Sequence, residues 1–304
     1  MTTIAVTGAS GFCGSHVAVA AAARGHEVLC VGRRPGPVGR HIPWDATRRP
    51  PDLSGADLVV HCAAAVGDPV PGPRAEARMR AVNVDGTARL LEAAGGRPVV
   101  WVSSASVYEP GPGRARVTEH HPLRSQLNAY GRTKAAGEAL ALAGGAVVLR
   151  PRAVYGAGDP HLVPRLLSRV RHGLLLLPGP SVRLSLTAVE NLTDACLAAA
   201  GWPPGAYNIA DPAPYDRDQA VQAVLRAHGV RARIRHVPPA AARAAARAAQ
   251  LLGRLRPGAE PLLTLYAVDQ LADSVVLDVS KAESQGWTAR RVLTDYTAAL
   301  SVTT

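Results

Sequence analysis

The chain has 304 residues, with 34 Lys plus Arg against 23 Asp plus Glu, a formal charge of +11, 47% hydrophobic and 19% charged residues. That composition excludes a disordered chain and a fibrous repeat, and the length suits one large core or a core with a smaller second lobe. Only two of the basic residues are lysines, Lys134 and Lys281, so the basic excess reads as an arginine-rich coding background, and a nucleic-acid partner is not expected.

Residues 3–7 form an apolar run that begins almost at the initiator, so no signal peptide is expected. A glycine-rich turn follows, Thr7-Gly-Ala-Ser-Gly-Phe-Cys-Gly14, then an Ala-rich helix over 13–24 closed by Gly25. Further apolar runs lie at 26–31, 58–62, 99–103 and 146–149, with helical patterns at 74–94 and 129–143 between them. Continuous apolar strands alternating with helices predict a parallel sheet covered on both faces, in its open, doubly wound α/β form. After Leu149 the alternation loosens and Pro and Gly cluster. We expect a dinucleotide-binding domain over 1–157, with about 183–211 returning to it, and a smaller interleaved substrate lobe over 158–304. Residues 239–257 read as an Arg/Ala helix with Arg243, Arg247 and Arg254 on one face. A solvated face is the plain reading and contact with an anionic partner the sharper one. No apolar run reaches membrane-span length, and Cys13, Cys30, Cys62 and Cys196 form no C-x-x-C pair. A cytoplasmic protein with free thiols and no metal site is expected.

Glycines at 8, 11 and 14 permit a tight turn and close approach of a pyrophosphate to the start of the first helix. The free N–H groups and positive dipole end there favour an anion. Strand–loop–helix placement makes this G-x-x-G-x-x-G turn a dinucleotide site. After the second strand, where an acidic residue would hold the ribose hydroxyls of NAD, stand Gly32, Arg33 and Arg34. Two guanidinium groups in place of a carboxylate favour a 2′-phosphate, so NADP (as NADPH) is expected over NAD.

Tyr130 and Lys134 form a Y-x-x-x-K pair on one face of a predicted helix. Seven tyrosines and two lysines in 304 residues make a chance pair at this spacing rare. An ammonium beside the phenol would lower its pKa and make Tyr130 a general acid or base. The strand at 99–103 delivers Ser103, Ser104 and Ser106 to its C-terminal end, where open α/β sheets place their chemistry. A hydroxyl there can polarise a substrate carbonyl, and spacing alone leaves all three serines open.

These motifs resemble the extended short-chain dehydrogenase/reductases. The likeness extends to Asp57-Leu-Val-Val-His-Cys-Ala-Ala-Ala65, Asn83-Val-Asp-Gly-Thr87, Leu149-Arg-Pro151, Val154-Tyr-Gly156 and Asp278-Val-Ser-Lys-Ala282. It implies Ser104, Tyr130 and Lys134 as the catalytic set, with Lys134 holding the nicotinamide ribose and tuning Tyr130. It implies cofactor contacts from Gly8, Ser10, Gly11, Phe12, Gly14, Arg33, Arg34, Asp45, Ala63, Ala64, Ala65, Asn83, Tyr130, Lys134, Pro151 and Val154. Members often pair the helices at 74–94 and 129–143 into a dimer, so a homodimer is one assembly it implies.

Within the family, the sugar-nucleotide epimerases and dehydratases usually carry an arginine where this chain has Leu184, with Arg183 one residue out. Ala105 and Ser106 stand where dehydratases place an acidic pair. Asp159-Pro-His-Leu-Val-Pro164 and Tyr266-Ala-Val-Asp-Gln-Leu271 instead resemble the 3β-hydroxysteroid dehydrogenase and ketoreductase branch. The favoured expectation is an NADP-dependent keto/hydroxy oxidoreductase acting on a fairly apolar small molecule. A nucleotide-sugar epimerase or dehydratase and a non-catalytic NADP-binding sensor are the alternatives.

Overall fold

The computed structural model of the chain describes residues 1–253 and 263–302. The apolar runs of the first half become β1 (Thr3–Thr7), β2 (Glu27–Gly32), β4 (Leu58–His61), β5 (Val99–Val102) and β6 (Val147–Pro151), with a short β3 (Arg40–Pro43) between β2 and β4. The remaining strands are β7 (Val154–Tyr155), β8 (Leu174–Pro178), β9 (Arg183–Leu184), β10 (Thr187–Ala188), β11 (Gly205–Ile209), β12 (Tyr215–Asp216) and β13 (Arg233–Val237). The main sheet is parallel, in the order β11-β6-β5-β4-β1-β2-β3.

The helices are α1 (Phe12–Ala23), α2 (Pro73–Asn83), α3 (Asp85–Ala94), α4 (Ala129–Ala143), α5 (Leu162–Ser168) and α6 (Val189–Ala198), with α1 and α6 on one face of this sheet and α3 and α4 on the other. The later ones are α7 (Arg217–Ala227), α8 (Pro239–Gly253), α9 (Leu265–Ala272), α10 (Ser280–Glu283) and α11 (Leu293–Val302). Strand residues alternate between two cores, which is why the strands read as unbroken apolar runs. Ile4, Val6, Val28, Val60 and Leu149 pack with Val17 of α1 and Leu192 of α6. Ala5, Leu29, Val59, Trp101 and Val148 pack with Leu90 of α3 and Ala141 of α4. The helix expected over 74–94 is divided at Val84, whose backbone departs from regular helix (φ −109°, ψ −63°). The division follows Asn83, whose side chain is committed elsewhere, as described below.

The later part of the chain builds a small parallel pair, β8 with β13, beside the main sheet. Leu175 and Leu177 point inward against Leu225 of α7, while Leu174 and Leu176 are exposed. Arg217 ties this lobe together from a fully buried position: Nη1 donates to the carbonyls of Pro178 (2.7 Å) and Leu271 (2.5 Å), and Nη2 to Gly179 (3.1 Å). On α8, Arg243 reaches Asp273 at 3.5 Å and Arg247 is exposed. Arg254, Pro257 and Leu262 lie outside the described residues. Among the described residues no helix is long and apolar enough to cross a membrane, and no group of His, Cys, Asp and Glu could hold a metal ion.

Candidate active site

The glycine loop joins β1 to α1 at the C-terminal edge of the sheet. Gly8 has φ +68°, and a Cβ there would fall 2.9 Å from Ala63 Cα. A Cβ on Gly14 would fall 2.3 Å from the Gly8 carbonyl, so neither position admits a side chain without shifting the backbone. Gly11 caps α1 with no side-chain hydrogen bond, and no acidic residue stands in the first turn. The helix start therefore offers open N–H groups to an anion, which fits a pyrophosphate. Phe12 opens the helix, its ring edge-on to His16.

The turn after β4 faces this loop and is held by polar groups from three other elements. Thr7 Oγ1 accepts from the Ala63 N–H (3.2 Å) and pairs with His61 Nδ1 at 2.7 Å. Burial, then the nearby Lys134, lowers the His61 pKa to about 3 and keeps that ring neutral. Asn83 Oδ1 accepts from the Ala65 N–H (2.7 Å), and Asn83 Nδ2 donates to the Ala65 carbonyl (3.0 Å) and to Thr133 Oγ1 (3.0 Å). Asn83 is buried and occupied, so it shapes the Ala63–Ala65 turn rather than offering a free amide.

Beside the glycine loop, Ala9, Ser10, Ser15, Arg34, Pro35, Gly36 and Pro37 line a cleft of about 440 Å³. Arg34 is in its wall, while Arg33 is exposed and acts on Asp45. Asp45 turns into its own loop, accepting from the Thr47 N–H (2.9 Å) and hydroxyl (2.7 Å). Those bonds, ahead of Arg48 and Arg33, hold its carboxyl below the usual range. Pro151 ends β6, and Val154 pairs with Thr187 in the short β7–β10 ladder on the other side of the site.

Asn128 caps α4 by accepting from the Gly131 N–H (2.8 Å), which sets the first turn that carries Tyr130. The three serines after β5 take separate paths. Ser103 is buried and donates to Glu138 Oε2 at 2.5 Å. Ser104 Oγ donates to Ser106 Oγ (3.0 Å), accepts from the Ser106 N–H (3.1 Å), and acts on the nearby Tyr130 phenol. Ser106 Oγ lies 2.6 Å from the hydroxyl of Tyr266. Tyr266 had only a branch likeness in the sequence and no site role. Its 160-residue separation from Ser106 carries no local pattern that could have revealed the contact.

One expectation is corrected. The phenol of Tyr130 is not lowered by Lys134: burial, then Tyr266, pushes it above the ordinary tyrosine value, against the opposing Ser104 hydrogen bond. Lys134 Nζ instead donates to the Val102 carbonyl (2.7 Å) and sits 3.6 Å from the centroid of the Trp101 ring. Burial lowers the Lys134 pKa to about 7, with Glu138, Cys62 and Cys13 acting the other way. The amine acts on Cys13 and His61, and is not among the groups that shift the phenol. The Cys13 thiol beside it is pushed up to about 12 by burial and then by Cys62, which leaves it neutral and unreactive.

Comparison with known proteins follows the same lines. Residues 4–210 match the NAD dependent epimerase/dehydratase family, and the chain belongs to it. It is an NAD(P)-dependent enzyme of the extended short-chain dehydrogenase/reductase type. It is 30% identical to 4-hydroxy-2-methyl-3-oxo-4-farnesyl-3,4-dihydroquinoline-1-oxide ketoreductase of Stigmatella aurantiaca, over 94% of this chain and 92% of that one. It is 29% identical to a 2-alkyl-3-oxoalkanoate reductase of Shewanella oneidensis, over 91% and 80%. MoeE5, solved in complex with UDP-glucuronic acid and NAD, superposes with a TM-score of 0.74 at 26% identity, covering 98% of this chain and 97% of that one.

Proposed function

We propose that this enzyme is an NADP-dependent ketoreductase or hydroxy dehydrogenase acting on a carbonyl or secondary alcohol of a fairly apolar small molecule. The observation that carries the reading is the glycine loop open to an anion at the start of α1, whose Cys13 lies close enough to Tyr130 and Lys134 to act on both. When bound, the nicotinamide supplies or accepts the hydride. Ser104 donates a hydrogen bond to the substrate oxygen and polarises its carbonyl. Tyr130 passes its proton to that oxygen in reduction and withdraws it in oxidation. Gly8, Gly11 and Gly14 would hold the pyrophosphate, the Ala63–Ala65 turn would border the nicotinamide half, and Lys134 would hold its ribose. Asp45, Pro151 and Val154 would flank the two ends.

A ketone substrate is favoured over a sugar nucleotide by β9. Leu184 is buried there, while Arg183 is exposed and donates to the Pro214 carbonyl at 3.0 Å. The two similar reductases named above point the same way. The test is oxidation of NADPH or NADH followed by absorbance with a panel holding a 3-oxosteroid, a 2-alkyl-3-oxoalkanoate and a UDP-hexose. Turnover of a ketone with net NADPH consumption is expected. Conversion of the UDP-hexose without net cofactor consumption would replace this reading with the epimerase one.

Arg34 in the wall of the cleft beside the glycine loop, with Arg33 next to it, favours NADP. Arg33→Ala and Arg34→Ala should each raise the KM for NADPH by about tenfold or more, and that for NADH little, because a charge-assisted bond to a phosphate is worth about 1.5–3 kcal/mol. Equal losses for both cofactors would remove the 2′-phosphate role.

A further inference from the structure

Two tyrosines flank the serines after β5, each in the first turn of a helix. Tyr130 is the second residue of α4 and Tyr266 the second residue of α9. A Cβ on Gly131 would fall 2.6 Å from the Ser106 carbonyl oxygen, so the turn that carries Tyr130 packs directly on Ser106. From the other side, Tyr266 OH lies 2.6 Å from Ser106 Oγ. The two helix starts therefore meet at Ser106, two residues after Ser104.

They meet a second time at Asp68, in the loop between β4 and α2. Asn128 caps α4 by accepting from the Gly131 N–H (2.8 Å), and its Nδ2 donates to Asp68 Oδ1 (3.1 Å). Thr264 caps α9 by accepting from the Ala267 N–H (3.0 Å), and its hydroxyl donates to Asp68 Oδ2. Asp68, Asn128 and Thr264 are all buried. The directions of these bonds support one another. An amide that gives its N–H to a carboxylate keeps its oxygen turned to the helix, and a hydroxyl that gives its one proton to the carboxylate keeps its lone pairs for the cap. The contacts close a ring: Asp68, Asn128, the first turn of α4, Ser106, Tyr266, the first turn of α9, Thr264 and Asp68 again. Asp68 joins segments 60 and 196 positions away from it, and it is the member that touches both caps. Resting on the ketoreductase reading above, we propose that Asp68 is a positioning residue: by orienting both cap residues it holds the turns of Tyr130 and Tyr266 in register across Ser106, and so holds Tyr130 in place beside Ser104 for the reaction. Without the carboxylate, the Asn128 amide loses the acceptor that fixes which end faces the helix, and the Thr264 proton loses its partner. A small displacement of a reacting group is costly in rate.

The experiment is single-turnover hydride transfer from NADPH to the fastest ketone of the panel above, followed by stopped-flow absorbance with enzyme in excess. The rate constant reports how well the groups are placed, whereas loss of folded enzyme lowers only the amplitude. Asp68→Ala should lower the rate constant by about tenfold or more. NADPH affinity should stay near the wild-type level, because the glycine loop is not part of the ring. Amide hydrogen exchange read by NMR should speed up at the Gly131 and Ala267 N–H groups, the two donors whose caps Asp68 orients. A wild-type rate constant, even with reduced amplitude, or unchanged exchange at both amides would overturn the proposal. Should Asp68→Ala not fold, Thr264→Val removes the same link from the α9 side while keeping the side-chain shape, and an unchanged rate constant there overturns it. The two levels separate in the wild type: reduction of no ketone in the panel overturns the underlying reading, whereas ready reduction beside an unaltered Asp68→Ala overturns only the role of Asp68.

Discussion

Tyr130→Phe is expected to reduce turnover by about 10²–10⁴-fold, the range for loss of a positioned general acid, while NADPH binding stays near the wild-type level. The substitution removes one oxygen and its proton and little else. The proposed pyrophosphate cradle of Gly8, Gly11 and Gly14 is glycine backbone and does not involve the phenol. Fluorescence titration of bound NADPH and steady-state turnover measure the two quantities separately. Retained turnover would remove Tyr130 from the chemistry. Loss of both binding and turnover would instead mean that the phenol supports the cofactor. The raised pKa of Tyr130 fixes the pH dependence of the wild type. The phenol stays protonated through and above neutrality, so reduction, which needs the acid, should hold its rate there. Oxidation, which needs the phenolate, should rise as pH increases toward that pKa.

Much of the site's location was legible in local patterns. The loop at 7–14, the serines after β5 and the Tyr130/Lys134 pair are each short motifs whose chemistry follows from their spacing. The doubly wound sheet was legible because two-sided burial makes β1, β4, β5 and β6 uninterrupted apolar runs. The direction of the Tyr130 pKa was not. Spacing puts Lys134 on the phenol's side of the helix, but the path of Nζ to the Val102 carbonyl depends on where β5 and Trp101 end up. The break at Val84 was hidden for a similar reason, since the composition of 74–94 is helical throughout. Asn83 is read as a helix residue until the Ala65 turn it serves is placed beside it. Tyr266 shows the general limit. A tyrosine at the start of a short helix meets a serine 160 positions earlier, and nothing local signals that contact.

Glu138→Ala should destabilise the protein by about 3–5 kcal/mol, the cost of leaving one member of a buried ion pair without the other. In a domain of this size that corresponds to a fall in Tm on the order of 10 °C. Glu138 is 0% exposed and Arg150 2%; Arg150 Nε donates to both carboxylate oxygens (3.1 and 3.2 Å) and Nη2 to Oε1 (2.5 Å). Burial by itself would lower the Arg150 pKa, but Glu138 and Tyr108 together outweigh it and the shift is upward. The guanidinium also donates to Tyr108 OH (3.0 Å) and the Glu119 carbonyl (3.0 Å), and Tyr108 donates to Asn208 at 2.6 Å. One carboxylate therefore supports contacts reaching from α4 through β6 to β11. Its second oxygen accepts from Ser103, the residue before Ser104. Its charge also raises the pKa of Lys134, one turn earlier on the same face. Removing it should take Lys134 below about 7 and leave the amine neutral in the working range, so activity at neutral pH should fall along with Tm. Thermal unfolding followed by circular dichroism reads the first effect. Replacing both partners by apolar residues, Glu138→Leu with Arg150→Met, should recover most of the stability, because no buried charge is then left alone. It should not recover the activity, because the carboxylate that supports Lys134 and Ser103 is still missing. A double variant as unstable as Glu138→Ala would mean that the surrounding hydrogen bonds, rather than the stranded guanidinium, set the cost.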